Sequence, residues 1–305
     1  MRIVAGLGGN ALLRRGQRPD DATQRENLRT AVHGLAAIAD GNELLVVHGN
    51  GPQVGLLALE SAADPTLTHP YPLDVLVGET QGMIGYLLAG ALGPALDDRA
   101  VAVLVTRTTV DPADPAFAHP TKFIGPGYDR REAARLATGH GWQLRSDGEQ
   151  WRRVVASPEP RSVVELPIVR RLLDSGAVVI AGGGGGIPVV RRADGRLEGV
   201  EAVVDKDLVA ALLAIRLQAD ALLLLTDVPG VYRDFGGPGA ELIAEASARE
   251  LVALGLPEGS MGPKVDACRR FVAERDGLAA IGALGQAEDV LAHRAGTRVR
   301  NVEFR

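Results

Sequence analysis

Three times in this chain a short apolar strand runs straight into a cluster of glycines, and that recurrence limits the fold more than any other feature. The first is Arg2-Ile3-Val4-Ala5-Gly6-Leu7-Gly8-Gly9-Asn10-Ala11. The second is Glu43 to Val47 followed by His48-Gly49-Asn50-Gly51-Pro52, and the third is Ala177 to Ala181 followed by Gly182 to Gly186. Lacking Cβ atoms, such turns let successive backbone N–H groups close on an anion at a helix N-terminus. Open α/β sheets bind ligands at the carboxyl ends of their strands, where these turns lie. If the three converge at one sheet edge, they build one pocket. The five glycines from 182 read either as a flexible linker or as a backbone surface that must approach a ligand.

Between the turns the apolar spacing alternates. Leu28, Ala31, Val32, Leu35, Ala36 and Ile38 predict a helix from Asp21 or Thr23 to Asp40, ended by Gly41. Residues 72–92 predict a helix in which Gly78, Gly82 and Gly85 mark close packing, and Ala100 to Thr106 predict a third strand. Positions 111–160 are rich in proline turns, with a hairpin signal at Ser146-Asp147-Gly148-Glu149, and read as a protruding lid subdomain with a small core from Trp142, Trp151, Val154 and Val155. A helix follows at about 162–175. Beyond the third glycine turn, Ala193-Asp194-Gly195-Arg196 predicts a hairpin and Asp205-Lys206-Asp207 the start of a long helix. Strand 221–225 ends in Thr226-Asp227-Val228-Pro229-Gly230-Val231-Tyr232. A helix near 247–254 and one opened by Ser260-Met261-Gly262-Pro263-Lys264 precede a final strand, helix and strand at 278–281, 288–292 and 297–299. Strands alternating with helices throughout predict one α/β domain over 1–305, with a mostly parallel sheet covered on both faces.

Gly6-Leu7-Gly8-Gly9-Asn10-Ala11 satisfies the loose dinucleotide pattern G-x-G-x-x-G/A, but a nicotinamide site needs an acid after the second strand for the ribose. Here that strand ends in His48 and glycines. A net charge of −5 and a pI near 5.7 give no electrostatic case for nucleic acid or an anionic membrane surface. Leu208 to Leu225 comes closest to the ~20 apolar residues of a membrane span, but Arg216, Gln218 and Asp220 interrupt it. The first residues lack the apolar core of a signal peptide, and the single Cys268, read as a core-facing helix residue, suits a reducing cytoplasm. His33, His69, His119, His140 and His293 show no metal-ligand spacing. His48 reads either as catalytic or, more readily, as a hydrogen-bond partner ordering its loop.

Of 33 basic residues only Lys122, Lys206 and Lys264 are lysines. An ammonium is compact where a guanidinium is broad and planar, so these lysines mark candidate places where Arg would not fit. Together with the glycine turns and with Asp205, Asp207 and Asp227 they suit phosphoryl transfer, which asks the protein for positioning and charge neutralisation. No Walker A motif or protein-kinase signature is present.

Gly8-Gly9-Asn10-Ala11, His48-Gly49-Asn50-Gly51-Pro52-Gln53-Val54-Gly55, Gly183 to Pro188 and the three lysine stretches resemble the carbamate kinase family, as do Tyr71-Pro72-Leu73-Asp74, Glu79-Thr80-Gln81-Gly82 and Val155-Ala156-Ser157-Pro158. The resemblance implies the amino acid kinase fold, an open eight-stranded αβα sandwich, homodimeric and cytoplasmic. It implies the reversible reaction ATP + carbamate ⇌ ADP + carbamoyl phosphate, used to make ATP in arginine catabolism. It further implies that Gly8, Gly9 and Asn10 with Gly49, Asn50 and Gly51 line the carbamoyl phosphate site, that Lys122 reaches in from the lid, and that Lys206 and Lys264 clamp the phosphates. Asp207, aided by Asp205, would hold the lysines. Gly183, Gly184, Asp227, Tyr232 and Met261 would flank the nucleotide, and Mg²⁺ would be carried by phosphates and water without a protein ligand. The alternatives are another small-acid kinase of this fold, for acetylglutamate or UMP, or a nucleotide-binding sensor without turnover.

Overall fold

The computed structural model describes residues 1–8, 12–13, 17–18, 20–257 and 259–301. Its first half runs β1 (Arg2–Leu7), α1 (Asp21–Ala39), β2 (Glu43–His48), α2 (Gly51–Ala63), α3 (Leu73–Leu92), β3 (Val101–Val103), β4 (Arg107–Thr109), β5 (Lys122–Tyr128), α4 (Arg130–His140), β6 (Leu144–Asp147) and β7 (Gln150–Val155). The second half runs β8 (Ser162–Val163), α5 (Leu166–Asp174), β9 (Val178–Ile180), β10 (Ile187–Arg191), β11 (Leu197–Gly199), α6 (Lys206–Arg216), β12 (Ala221–Thr226), β13 (Tyr232–Arg233) and β14 (Glu241–Leu242). It closes with β15 (Glu245–Ser247), α7 (Ala248–Ala253), α8 (Met261–Glu274), β16 (Leu278–Ala283), α9 (Ala287–Leu291) and β17 (Thr297–Arg300).

Eight strands form one sheet in the order β15-β17-β16-β12-β1-β2-β9-β3. Every neighbouring pair is parallel except β16 with β17. Because side chains alternate across a strand, the central strands feed two cores. Val4, Leu222 and Leu224 pack with α5, α6, α7 and α8 through Val169, Val209, Leu251 and Phe271. Ile3, Ala5 and Leu223 pack on the opposite face with α1, α3 and α9 through Leu35, Ile84, Leu88 and Val290. The result is the expected mostly parallel αβα sandwich, with β1 and β12 apolar along nearly their whole length because both their faces are covered.

Beside the main sheet lie a four-stranded sheet, β11-β10-β4-β8, and a three-stranded antiparallel sheet, β5-β7-β6, with α4. The β6–β7 hairpin turns where its signal stood: Asp147 pairs with Gln150, and Gly148 takes a φ of 66°. β5 crosses α2 so closely that a Cβ at Gly55 would strike the backbone of Gly125.

Several local expectations change. The strand expected over Ala100 to Thr106 stops at Val103, and the chain resumes at Arg107 as β4 in the other sheet, parallel to β10. Residues 162–163, expected in a helix, pair antiparallel with β4, and the helix begins only at Leu166. The buried residues of the three-stranded unit are aliphatic, Ile124, Ala133, Leu136, Val154 and Val155, while Trp142 and Trp151 stay half-exposed at its surface. The run expected to come closest to a membrane span, 208–225, divides into α6, a turn and β12; among the described residues the helix long and apolar enough by length and composition is Leu73–Ala95, half of it buried in the fold.

Candidate active site

The glycine turns meet at the carboxyl ends of the central strands. The Gly8 N–H donates to Leu225 O at the end of β12 (2.8 Å), and the Gly49 N–H donates to Leu7 O at the end of β1 (3.1 Å). The third turn packs onto the second: a Cβ on Gly183 would run into the His48 ring, and one on Gly184 into the Asn50 amide. Gly182 and Gly184 to Gly186 all have positive φ, so L side chains would be strained there as well as crowded. These five glycines therefore form a packed backbone surface and not a linker. Gly9 and Asn10 lie outside the described residues.

Side chains that the sequence reading left without a role hold this surface. Gln81 Oε1 accepts from the Thr106 N–H (2.8 Å) while its Nε2 donates to Thr106 O (3.1 Å), and Thr106 Oγ1 in turn accepts from the Gly182 N–H (2.9 Å). Thr108 Oγ1 donates to Gly185 O (2.7 Å), and Asn50 Nδ2 donates to Thr80 Oγ1 (2.9 Å). The signal was present in Glu79-Thr80-Gln81-Gly82, but only tertiary contact shows what Thr80 and Gln81 hold. His48 is buried, and its Nδ1 lies 3.1 Å from Gly49 O. Since a carbonyl only accepts, Nδ1 carries the proton. Burial, with a smaller push from the Lys206 charge, drops the imidazole to about 4, so it is neutral near pH 7 and orders its own loop.

All three lysines of the chain converge on two neighbouring aspartates. Asp205 caps α6, its carboxylate accepting from the Asp207 N–H (2.8 Å). Its other oxygen pairs with Lys122, which reaches across from the start of β5. Asp207, in the first turn of α6, bridges the other two: Oδ1 accepts from Lys206 Nζ at 2.8 Å and Oδ2 from Lys264 Nζ, from the first turn of α8, at 3.1 Å. Lys206, Asp207 and Lys264 are only 9%, 3% and 7% exposed.

Charges this deep cost several kcal/mol each in lost hydration, so their pairing decides their state. Burial would raise both carboxyls, but Lys122 and Lys206 outweigh it at Asp205, and Lys206 and Lys264 at Asp207; both are held below the usual carboxylate range. Lys264 is raised because Asp207 more than offsets burial. Lys206 goes the other way, down to about 8, because burial and the nearby Lys264 charge outweigh Asp207. Three ammonium groups thus face two carboxylates.

The remaining candidates sit around this cluster. Asp227, exposed at the end of β12, accepts from Thr226 Oγ1 (3.0 Å), and its charge reaches Lys264. Tyr232 lies on the β13–β14 ribbon edge-on to Phe235, ring centroids 5.7 Å apart, and Met261 begins α8. Cys268 is buried on α8, and burial pushes its thiol up, which leaves it inert as a core residue. Among the described residues no three His, Cys, Asp or Glu side chains gather as metal ligands. Asp205 and Asp207, the acids nearest the lysines, are already paired, so they do not fit a protein-held divalent cation.

Glycine turns, helix N-termini and buried ammonium groups gathered at one sheet edge are the arrangement that phosphoryl transfer calls for. The amino acid kinase family matches residues 1–280. A carbamate kinase of Haemophilus influenzae is 48% identical over 300 residues, covering 98% of this chain and 96% of that protein. One from Escherichia coli O6:H1 is 49% identical over 295 residues, covering 97% and 98%. Among solved structures, carbamate kinase from Giardia lamblia bound to AMP-PNP superposes with a TM-score of 0.87 at 37% identity, covering 98% of each chain. The chain belongs to the amino acid kinase family and, within it, to the carbamate kinases.

Proposed function

We propose that this chain catalyses ATP + carbamate ⇌ ADP + carbamoyl phosphate, and that the reacting phosphoryl group sits between the β1 and β2 glycine turns and the Lys206–Asp207–Lys264 bridge. The observation that carries this reading is the gathering of three ammonium groups around Asp205 and Asp207 in a largely buried cluster, where a phosphoryl group would find concentrated positive charge. The backbone N–H of Gly51, with Gly9 and Asn10, would take its oxygens, while Gly8 and Gly49, whose N–H groups are held by Leu225 O and Leu7 O, line the site and fix the two turns. As charge spreads over the equatorial oxygens, Lys206 and Lys264 stabilise it from positions that Asp207 has already set, so little reorganisation is needed at the moment of transfer. Lys122, carried by the lid at 111–160, would leave Asp205 for carbamoyl phosphate. His48, Asn50, Gly183 and Gly184 would keep the β2 turn in shape, while Asp227, Tyr232 and Met261 flank the nucleotide. Magnesium would arrive with the nucleotide phosphates, which supply the oxygens this hard cation prefers.

Protein mixed with carbamoyl phosphate and MgADP should make ATP in a coupled assay, with acetylglutamate and UMP tried in parallel as acceptors from ATP. No ATP from carbamoyl phosphate, or faster transfer to either acceptor, would overturn the reading.

The same proposal includes a cytoplasmic homodimer working towards ATP in arginine catabolism. Tyr86 is 68% exposed on α3 with Val75 and Met83 on the same helix, beside Val103 and Val105 at the β3 sheet edge, an apolar stripe of the kind that a second copy covers. Light scattering at micromolar concentration should return about twice the 32.0 kDa chain mass; the monomer mass would remove the dimer.

A further inference from the structure

Further along α2 from the lysine cluster, a cleft of about 810 Å³ lies between that helix and the three-stranded unit. Ala58 and Ala62, which line it, are about 10 and 16 Å along the α2 axis from Gly51. The opposite wall carries Trp142 and Arg153. The Arg153 side chain is only 13% exposed, yet among the described residues its one ion pair, to Glu201, is long at 3.5 Å. Glu201 is committed elsewhere, its other oxygen accepting from the Leu73 N–H at the start of α3 (2.8 Å). The adjacent Arg152 shows the contrast: it holds Asp147 at 3.0 Å and Gly125 O at 3.2 Å.

A guanidinium has five N–H donors, and most of those on Arg153 have no protein acceptor among the described residues. Trp142 stacks against it, 4.2 Å from guanidinium carbon to ring centroid, and fixes its plane. Burial lowers the affinity of Arg153 for its proton, and the Glu201 and Tyr128 charges only partly offset this, as expected of a cation short of an anion. Glu201, His140 and Gln143 are the other polar side chains on the wall near Arg153, and Tyr71 and Phe117 beside Ala58 and Ala62 make an apolar stretch. The volume falls within the few hundred to about 1,000 Å³ usual for small-molecule sites.

We propose that this cleft is a second ligand site for a small organic carboxylate, held by the Arg153 guanidinium with its apolar body along Ala58, Ala62, Tyr71 and Phe117. Planar and fork-shaped, the guanidinium accepts a carboxylate through two parallel hydrogen bonds. An occupant would touch α2 and the three-stranded unit at once, and so would bias the angle at which β5 presents Lys122 to Asp205.

Trp142 makes the test direct, because the chain has only two tryptophans and Trp151→Phe leaves Trp142 as the sole reporter. Hexanoate should change its emission saturably, with the active site empty or filled by AMP-PNP. Hexanol and inorganic phosphate should bind at least ~10-fold more weakly, and Arg153→Gln should weaken hexanoate by a similar factor, the scale for a charge-assisted hydrogen bond. No saturable response to hexanoate, equal binding of hexanol, or unchanged affinity in a folded Arg153→Gln protein would overturn the proposal; equal binding of phosphate would overturn its organic half. Should that variant fail to fold, calorimetry of the unaltered protein with hexanoate against hexanol decides.

Discussion

The main sheet carries a charged cluster at each end, and the two are built on opposite principles. At the amino end Arg2 opens β1. Its Nε donates to Glu43 (2.6 Å), one terminal nitrogen to Asp174 (2.5 Å) and the other to Leu217 O (3.1 Å), while its backbone N–H reaches Asp220 (2.7 Å). The partner carboxylates are 38% and 54% exposed, so water completes their hydration. At the carboxyl end three ammonium groups share two carboxylates and most of the cluster is buried. One end uses a guanidinium fork to tie strands together; the other gathers compact ammonium groups around Asp205 and Asp207, with the Asp227 charge reaching Lys264. The absence of lysine from the rest of the chain fits this division, since Arg serves wherever a charge has only to hold structure.

The contrast can be broken most severely at Asp207. Asp207→Asn keeps the volume but leaves Lys206 and Lys264 buried without their carboxylate, and should destabilise the fold by about 3–5 kcal/mol in denaturant unfolding. A loss below about 1 kcal/mol would mean that water reaches the bridge.

Lys206→Ala and Lys264→Ala should each cut turnover at least ~10²-fold, the scale for losing one preorganised donor to transition-state charge. Near-normal rates in either variant would remove that lysine from the transfer step.

A pH profile sharpens the same end. Lys206 sits at about 8 against 10.5 for a free lysine, so raising pH through 8 strips its charge from the free enzyme. Then kcat/KM for carbamoyl phosphate should fall by up to tenfold per pH unit above about 8. Stability moves the opposite way. The cost of keeping Lys206 charged is fully present below about pH 8 and fades as pH climbs towards 10.5. A flat kcat/KM from pH 7 to 9.5 would contradict the assignment.

The smallest effect belongs at the other end: Arg2→Ala should cost about 1–2 kcal/mol of stability from its hydrogen bonds and leave kcat per folded molecule unchanged. A large fall in kcat would show that the two ends are coupled.

Much of the candidate site was legible because its signals are local. A strand followed by glycines, an aspartate at the N-cap of α6 and Pro263 at the start of α8 each act within a few residues. What was misread depended on distant partners. Nothing within residues 100–109 says that the strand must end at Val103 so that Arg107 to Thr109 can pair with β10 and β8. Ser162 and Val163 pass for the start of a helix until β4 is seen beside them. The two tryptophans passed for a core because of their size, yet small aliphatic residues fill the space between β5, β7 and α4.

By itself the sequence determined the alternation of strands and helices, the positions of the glycine turns and the set of three lysines, since propensity, capping and composition are written residue by residue. Only the tertiary structure decided which lysine meets which aspartate, that Gly183 and Gly184 press on His48 and Asn50, and that Arg153 is left with spare donors beside a cleft. The physical reason lies in distant neighbours. Contact, hydration and the pairing of a charge depend on what the rest of the chain brings within a few ångströms, and here the partners stand 48, 57 and 83 positions apart in the ion pairs and further still between the second and third glycine turns.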